Sequence, residues 1–230
     1  TLCAEALDHP AVHHPYLERI GSGDLPDVAW ALRDYAYQYA YYSQAFPEYL
    51  EGVIATLTCD AHRRLLLENL EEERGDPGAS DLDHVPHTEL FARFRRAIGV
   101  DDAYLARHKP ITTVEVWRDL ALQKFRSPQV GVGVGAIGIG TELVVPTIYT
   151  YILEGIRDHT TLAPEDYYFF TLHAQCDQAH AADLRQVTVD VASDATTREA
   201  IRFGVFSALN LRKAFWDIML SRALDPARED

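Results

Sequence analysis

The chain has 230 residues, 47% hydrophobic and 24% charged, with a formal net charge of −14. That length buries one sizeable core without disulfides or a structural metal, so one compact domain spanning 1–230 is expected. Nucleic acid is not an expected partner, because phosphate neutralisation needs clustered cations and only Lys109, Lys124 and Lys213 supply ammonium groups. Cys3, Cys59 and Cys176 are too few and too scattered for a disulfide framework or a cysteine zinc site, which points to a reducing cytoplasm. No signal peptide is expected. The longest apolar run, Val130 to Ile139, is short for a bilayer and broken by glycines, so no membrane association is expected either.

Helical periodicity dominates, with Pro, Gly and Asp as punctuation, and the fold class is all-α. Asp24-Leu25-Pro26 opens a helix toward Phe46; its Tyr35, Tyr37, Tyr39 and Tyr41 imitate a strand's period of two, but Val28, Trp30, Leu32 and Ala36 favour helix. These tyrosines read as core packing rather than as a channel lining. A second helix runs from Asp60 to about Arg74 and stops at Gly75-Asp76-Pro77-Gly78, followed by an acidic loop. Helical patterns resume over His87 to Ile98, Thr113 to Phe125, and Gly140 to Arg157 with a bend near Pro146. Pro164-Glu165-Asp166 caps the next helix, and Asp194 starts a terminal helix toward Ser221.

The helix after Pro164 carries His173, Asp177 and His180 in an H-x3-D-x2-H pattern. At about 100° per residue they share an arc of roughly 60°, so two imidazoles and a carboxylate point at one spot, as in half of a metal site. Helix bundles complete such sites with inward ligands from other helices, and iron that activates oxygen is held by mixed imidazole and carboxylate ligands. Upstream candidates are Glu142, after the glycine-rich run, and Glu73 and His87, which flank the acidic loop. Gly133-Val134-Gly135-Ala136-Ile137-Gly138 matches a dinucleotide fingerprint, but no strand precedes it, and small residues there suit close helix packing or room for a substrate. Cys176 has Gln175 and Asp177 as neighbours and no cation to lower a thiol pKa, so it reads as a buried structural cysteine.

Taken together, these residues resemble the haem-oxygenase-like di-iron oxidases and oxygenases, the iron-containing redox enzymes. The resemblance runs through Ala45-Phe46-Pro47-Glu48-Tyr49-Leu50, Leu65-Leu66-Leu67-Glu68-Asn69-Leu70 with Glu72-Glu73, His87 with Leu90-Phe91, Glu142 with Pro146, and Pro164-Glu165-Asp166-Tyr167 leading to the triad. It implies a haem-oxygenase-like bundle of about seven or more helices. It implies Glu73, His87, Glu142, His173, Asp177 and His180 as ligands of two irons. By that analogy His87 and His180 hold one iron, Glu142, His173 and Asp177 hold the other, and Glu73 bridges, with Glu72 as its competitor. His13 and His14 invite comparison with a haem axial ligand, which such a set makes redundant.

The members that make p-aminobenzoate carry a lysine where this chain has Glu48, and a tyrosine and a lysine where it has Leu17 and Ile152, so their self-sacrificing chemistry is not expected. Glu48 resembles the additional metal ligand of certain N-oxygenases. The resemblance therefore implies use of O2 through a peroxo-diferric intermediate, fed by an external reductant and electron donor. The expected reaction is N-oxygenation of a small amine, guanidine or amino-heterocycle in specialised-metabolite biosynthesis, with a homodimer as the expected assembly. The alternatives are oxidative C–C cleavage or decarboxylation of an amino or fatty acid at the same site, and a metal-free helical binding protein.

Overall fold

The computed structural model describes residues 1–225, apart from the side chains of residues 175–181. Two helices precede the first expected one. Helix α1 (Leu2–Leu7) is capped by the Thr1 hydroxyl, and α2 (Pro15–Ser22) by the His14 imidazole with Pro15 in its first turn. The tyrosine-rich stretch is helical as its flanking residues foretell: α3 (Val28–Ser43) starts at Asp27, whose carboxylate accepts from the Trp30 amide at 2.9 Å. It ends before Phe46, and a new helix, α4 (Phe46–Ile54), carries Pro47 in its first turn, where no amide is needed.

Helix α5 (Asp60–Arg74) keeps its expected bounds and stops at Gly75, whose φ of 47° suits glycine. Then come α6 (His87–Ala97), α7 (Asp102–Arg107) and α8 (Thr112–Phe125). The glycine-rich run joins the helical structure: α9 (Val130–Val134) passes into a π-helical segment (Gly135–Glu142) and, after a turn, α10 (Val145–His159). By length and composition the whole stretch Val130–His159 would cross a membrane, but 83% of its most apolar window is buried inside the protein, as in a core helix. A 3-10 turn (Pro164–Tyr167) leads into α11 (Tyr168–Val191), and Asp194 caps α12 (Ala195–Leu224), accepting from the Thr197 amide at 2.8 Å. No strand occurs among the described residues, so the glycine run is not a nucleotide loop.

Helix α3 lies among α6, α8, α10 and α12, and α12 packs along α9 and the π segment. Glycines permit that approach: a Cβ on Gly204 would sit 2.1 Å from the Val132 carbonyl oxygen. Close packing thus overrides glycine's poor helix propensity, which explains why the helix begins ten residues before the expected Gly140. The interior is aromatic. Tyr42 stacks on Trp117 at 4.1 Å, Trp117 on Phe215 at 4.6 Å, and Tyr35 on Tyr39 at 5.0 Å. One contiguous apolar core takes in residues from Ala6 to Ala223.

Candidate metal centre

Three helices bring ionisable groups to one buried point. Glu73 comes from the last turn of α5, His87 from the first residue of α6, and His173 from the second turn of α11. One ligand atom from each lies within 4.8 Å of the other two, and the three residues are 7–8% exposed. Glu72 faces solvent, so α5 directs Glu73 to the cluster. Burial alone pushes the Glu73 carboxyl up, but the neighbouring imidazoles of His87 and His173 outweigh it and hold its pKa at about 2. Glu73 is a carboxylate throughout the physiological range.

The directions of these groups fit a cation. His173 Nδ1 donates to the Phe169 carbonyl at 2.7 Å, which in the neutral ring leaves the Nε2 lone pair 3.9 Å from Glu73 Oε1. Such a backbone bond is how a metal-binding histidine is held in one tautomer. His87 Nδ1 is buried and comes within 3.0 Å of the same Oε1, without a directed hydrogen bond among the described residues. A carboxylate and two imidazole rings therefore converge on a common region, with a donor set that suits iron.

Glu142 ends the π-helical segment, is 5% exposed, and lines the same cavity as the cluster, although it lies outside the three-residue group. The cavity holds about 30 Å³, room for about two waters or one diatomic molecule. Its aromatic wall is Tyr39, Tyr42, Phe46, Tyr149 and Phe169, with hydroxyls from Ser43, Thr88 and Thr141. Burial pushes the Tyr149 phenol well above its ordinary pKa, so it remains a proton donor.

The other sequence candidates divide. The Asp177, His180 and Cys176 side chains lie outside the described residues, although their backbone is part of α11. Glu48 is not brought to the cluster: its carboxylate pairs with Arg126 at 2.6 Å and is about half exposed. His14 caps α2 and reaches Asp217, and His13 is exposed beside Tyr151, so both have structural or surface contacts instead of an axial role. Leu17 and Ile152 are fully buried apolar residues. Sequence reasoning passed over Tyr149 and Arg212. The signal for Arg212 was there: it falls in the core stripe of α12 with Leu209, Phe215, Trp216 and Met219.

Residues 33–213 match the sequence profile of a family described as iron-containing redox enzymes. The 4-aminobenzoate synthase of Chlamydia muridarum is 28% identical over 174 residues, covering 75% of this chain and 69% of that protein. The 4-chloro-allylglycine synthase of Streptantibioticus cattleyicolor is 22% identical over 218 residues, covering 94% and 80%. Among solved structures, a TenA homolog from Pseudomonas syringae superposes with a TM-score of 0.77 at 14% identity, covering 96% of this chain and 90% of that one. A domain of unknown function with a heme oxygenase-like fold, from Shewanella denitrificans, gives a TM-score of 0.71 at 15% identity over 96% and 88%.

Proposed function

The chain belongs to the family of iron-containing redox enzymes and has their haem-oxygenase-like fold, and from that premise we propose that it binds two irons and uses O2 to oxidise the nitrogen of a small amine. The ligands in this reading are Glu73, His87, Glu142 and His173, joined by Asp177 and His180 from α11. The observation that carries it is the buried meeting of Glu73, His87 and His173 from three helices within 4.8 Å. Iron bound there supplies the one-electron and O2 chemistry that side chains lack.

The protein's own groups set the conditions. Glu73, ionised by its imidazole neighbours, would offer a carboxylate to the metal. The Phe169 carbonyl fixes the His173 ring. The Tyr39, Tyr149 and Phe169 rings wall the cavity and limit bulk water beside the cluster. In the overall change one oxygen atom of O2 joins nitrogen and the other leaves as water, with two electrons from an external donor and two protons. The test is turnover of candidate amines under labelled O2: one label on the product nitrogen is expected, and products without label on nitrogen would overturn N-oxygenation.

Oxidative C–C cleavage at the same centre is the second reading, and one observation favours it. Glu48, the carboxylate that would mark an N-oxygenase, is held by Arg126 at the surface. Product analysis in the same labelling experiment separates the two, since cleavage yields a shortened carbon chain. The buried Leu17 and Ile152 supply neither a phenol nor an amine for self-sacrificing chemistry.

A further inference from the structure

The acidic loop that joins α5 to α6 is pinched shut at its base. The Asp76 amide donates to the His84 carbonyl at 2.7 Å, and Gly75 lies against the backbone of His84, Val85 and Pro86. A Cβ on Gly75 would sit 2.6 Å from the His84 oxygen, 2.7 Å from the Pro86 nitrogen and 2.8 Å from the Val85 carbonyl carbon. Its φ of 47° with ψ of −160° is a further reason for glycine at this point. Pro86 suits the facing side, because its nitrogen carries no proton that a crowded neck would leave without an acceptor. Beyond the neck the loop folds on itself. The His84 amide donates to the Asp81 carbonyl at 3.1 Å and the Val85 amide to that of Leu82 at 3.2 Å, while the Val85 side chain is buried.

The neck stands between two members of the metal cluster. Glu73 is two residues before Gly75, and His87 follows Pro86 directly. Connections this short carry the closeness of the neck to both side chains, and Glu73 Oε1 ends 3.0 Å from His87 Nδ1. The same loop reaches the third helix. At the start of α11 the Tyr168 hydroxyl donates to the Asp83 carboxylate, little more than one helical turn before His173. Residues 75–86 are therefore tied to all three helices that supply Glu73, His87 and His173. Ligands fixed by the groups behind them bind a metal more tightly than ligands it must gather.

We propose that this neck is a positioning device for the metal centre: Gly75, closed against His84, Val85 and Pro86, sets Glu73 and His87 close enough to share a metal. Asp83 and Tyr168 extend the constraint to His173. Gly75 and Tyr168 are positioning residues. The consequence for metal affinity rests on the metal reading of the cluster, whereas the placement of the side chains does not.

The test compares Gly75→Ala with Gly78→Ala, the same change in the same loop, where the nearest contact of a Cβ is the Asp76 carboxylate at 3.3 Å. In crystals grown without metal, the Glu73–His87 separation should open beyond about 4 Å in Gly75→Ala and keep the parent's value in Gly78→Ala. Anaerobic titration should show Fe(II) bound about 10- to 100-fold more weakly by Gly75→Ala, the usual cost of releasing a group that orients a ligand, with Gly78→Ala equal to the parent. Co(II) in place of iron adds a readout that a general loss of stability does not move. Its visible absorption follows ligand set and geometry, and should change in Gly75→Ala alone of these two. Tyr168→Phe leaves the backbone intact and decides the matter where Gly75→Ala does not fold. It should widen the 3.9 Å gap between Glu73 and His173 and weaken Fe(II) about 3- to 10-fold. Separations equal to the parent's in the variant that decides would overturn the proposal, whatever the affinity. A parent that takes up no iron sinks the metal reading, while the separations still decide the positioning.

Discussion

His14 closes the amino end of α2 through Nδ1, which accepts from the Tyr16 amide at 3.1 Å, and reaches α12 through Nε2, 3.0 Å from Asp217 Oδ1. An accepting Nδ1 carries no proton, so the neutral ring must donate through Nε2. Burial lowers the His14 pKa below its ordinary 6.5, with Lys213 adding to that and Asp217 and Glu18 opposing it. The folded pKa is the lower one, so the unfolded chain takes up the proton first as pH falls. This contribution to stability is present above about pH 6.5 and is lost below it. His14→Asn keeps a capping oxygen that does not titrate. Thermal melts between about pH 7 and 5 should show a flatter decline for the variant than for the parent; parallel declines would remove His14 from the account. At this scale Glu73, His87 and His173 are legible in the sequence because helical spacing and a flanking loop announce them. The Glu48–Arg126 pair is not, since its partners are 78 residues apart and no local period links them.

The contact between α12 and the glycine-rich run shows what local pattern conveys about elements and what it leaves out. Helices with an apolar period and a clear stop are read closely, α5 to its observed span of Asp60–Arg74. The start of α9 is missed because glycine propensity argues against helix, and only the facing residues on α12 reveal the compensation. Short helices α1, α2, α4 and α7 are missed as well, since two turns carry too little periodicity to stand out. A Cβ on Gly204 would meet backbone, the Val132 oxygen at 2.1 Å, which no rotamer change relieves. Gly204→Ala should therefore destabilise the fold by about 3 kcal/mol, toward the upper end of overpacking costs. It should also disturb the π segment that ends at Glu142. Urea unfolding would measure this, and a midpoint equal to the parent's would show that α9 and α12 are free to separate.

For the whole molecule, the Glu73–His87–His173 cluster brings α5, α6 and α11 together from inside. A metal that binds only the folded chain stabilises it, by about 2.7 kcal/mol at a hundredfold excess over Kd. Fe(II) without O2 should raise the melting temperature of the parent, and a chelator should reverse the rise. The overall architecture is legible in the sequence because helical period and punctuation recur along the chain, whereas the aromatic wall and Arg212 become visible only when α3, α10 and α12 are packed together. The central claim is that a buried carboxylate and two imidazoles from three helices hold iron. Glu73 is the member closest to both imidazoles, so its removal touches the whole cluster. The most direct measurement is iron per chain after anaerobic loading and desalting, in the parent and in Glu73→Ala, with folding checked by circular dichroism. The account predicts two irons in the parent and fewer than one in the variant; a folded variant that retains the parent's full iron content would contradict it.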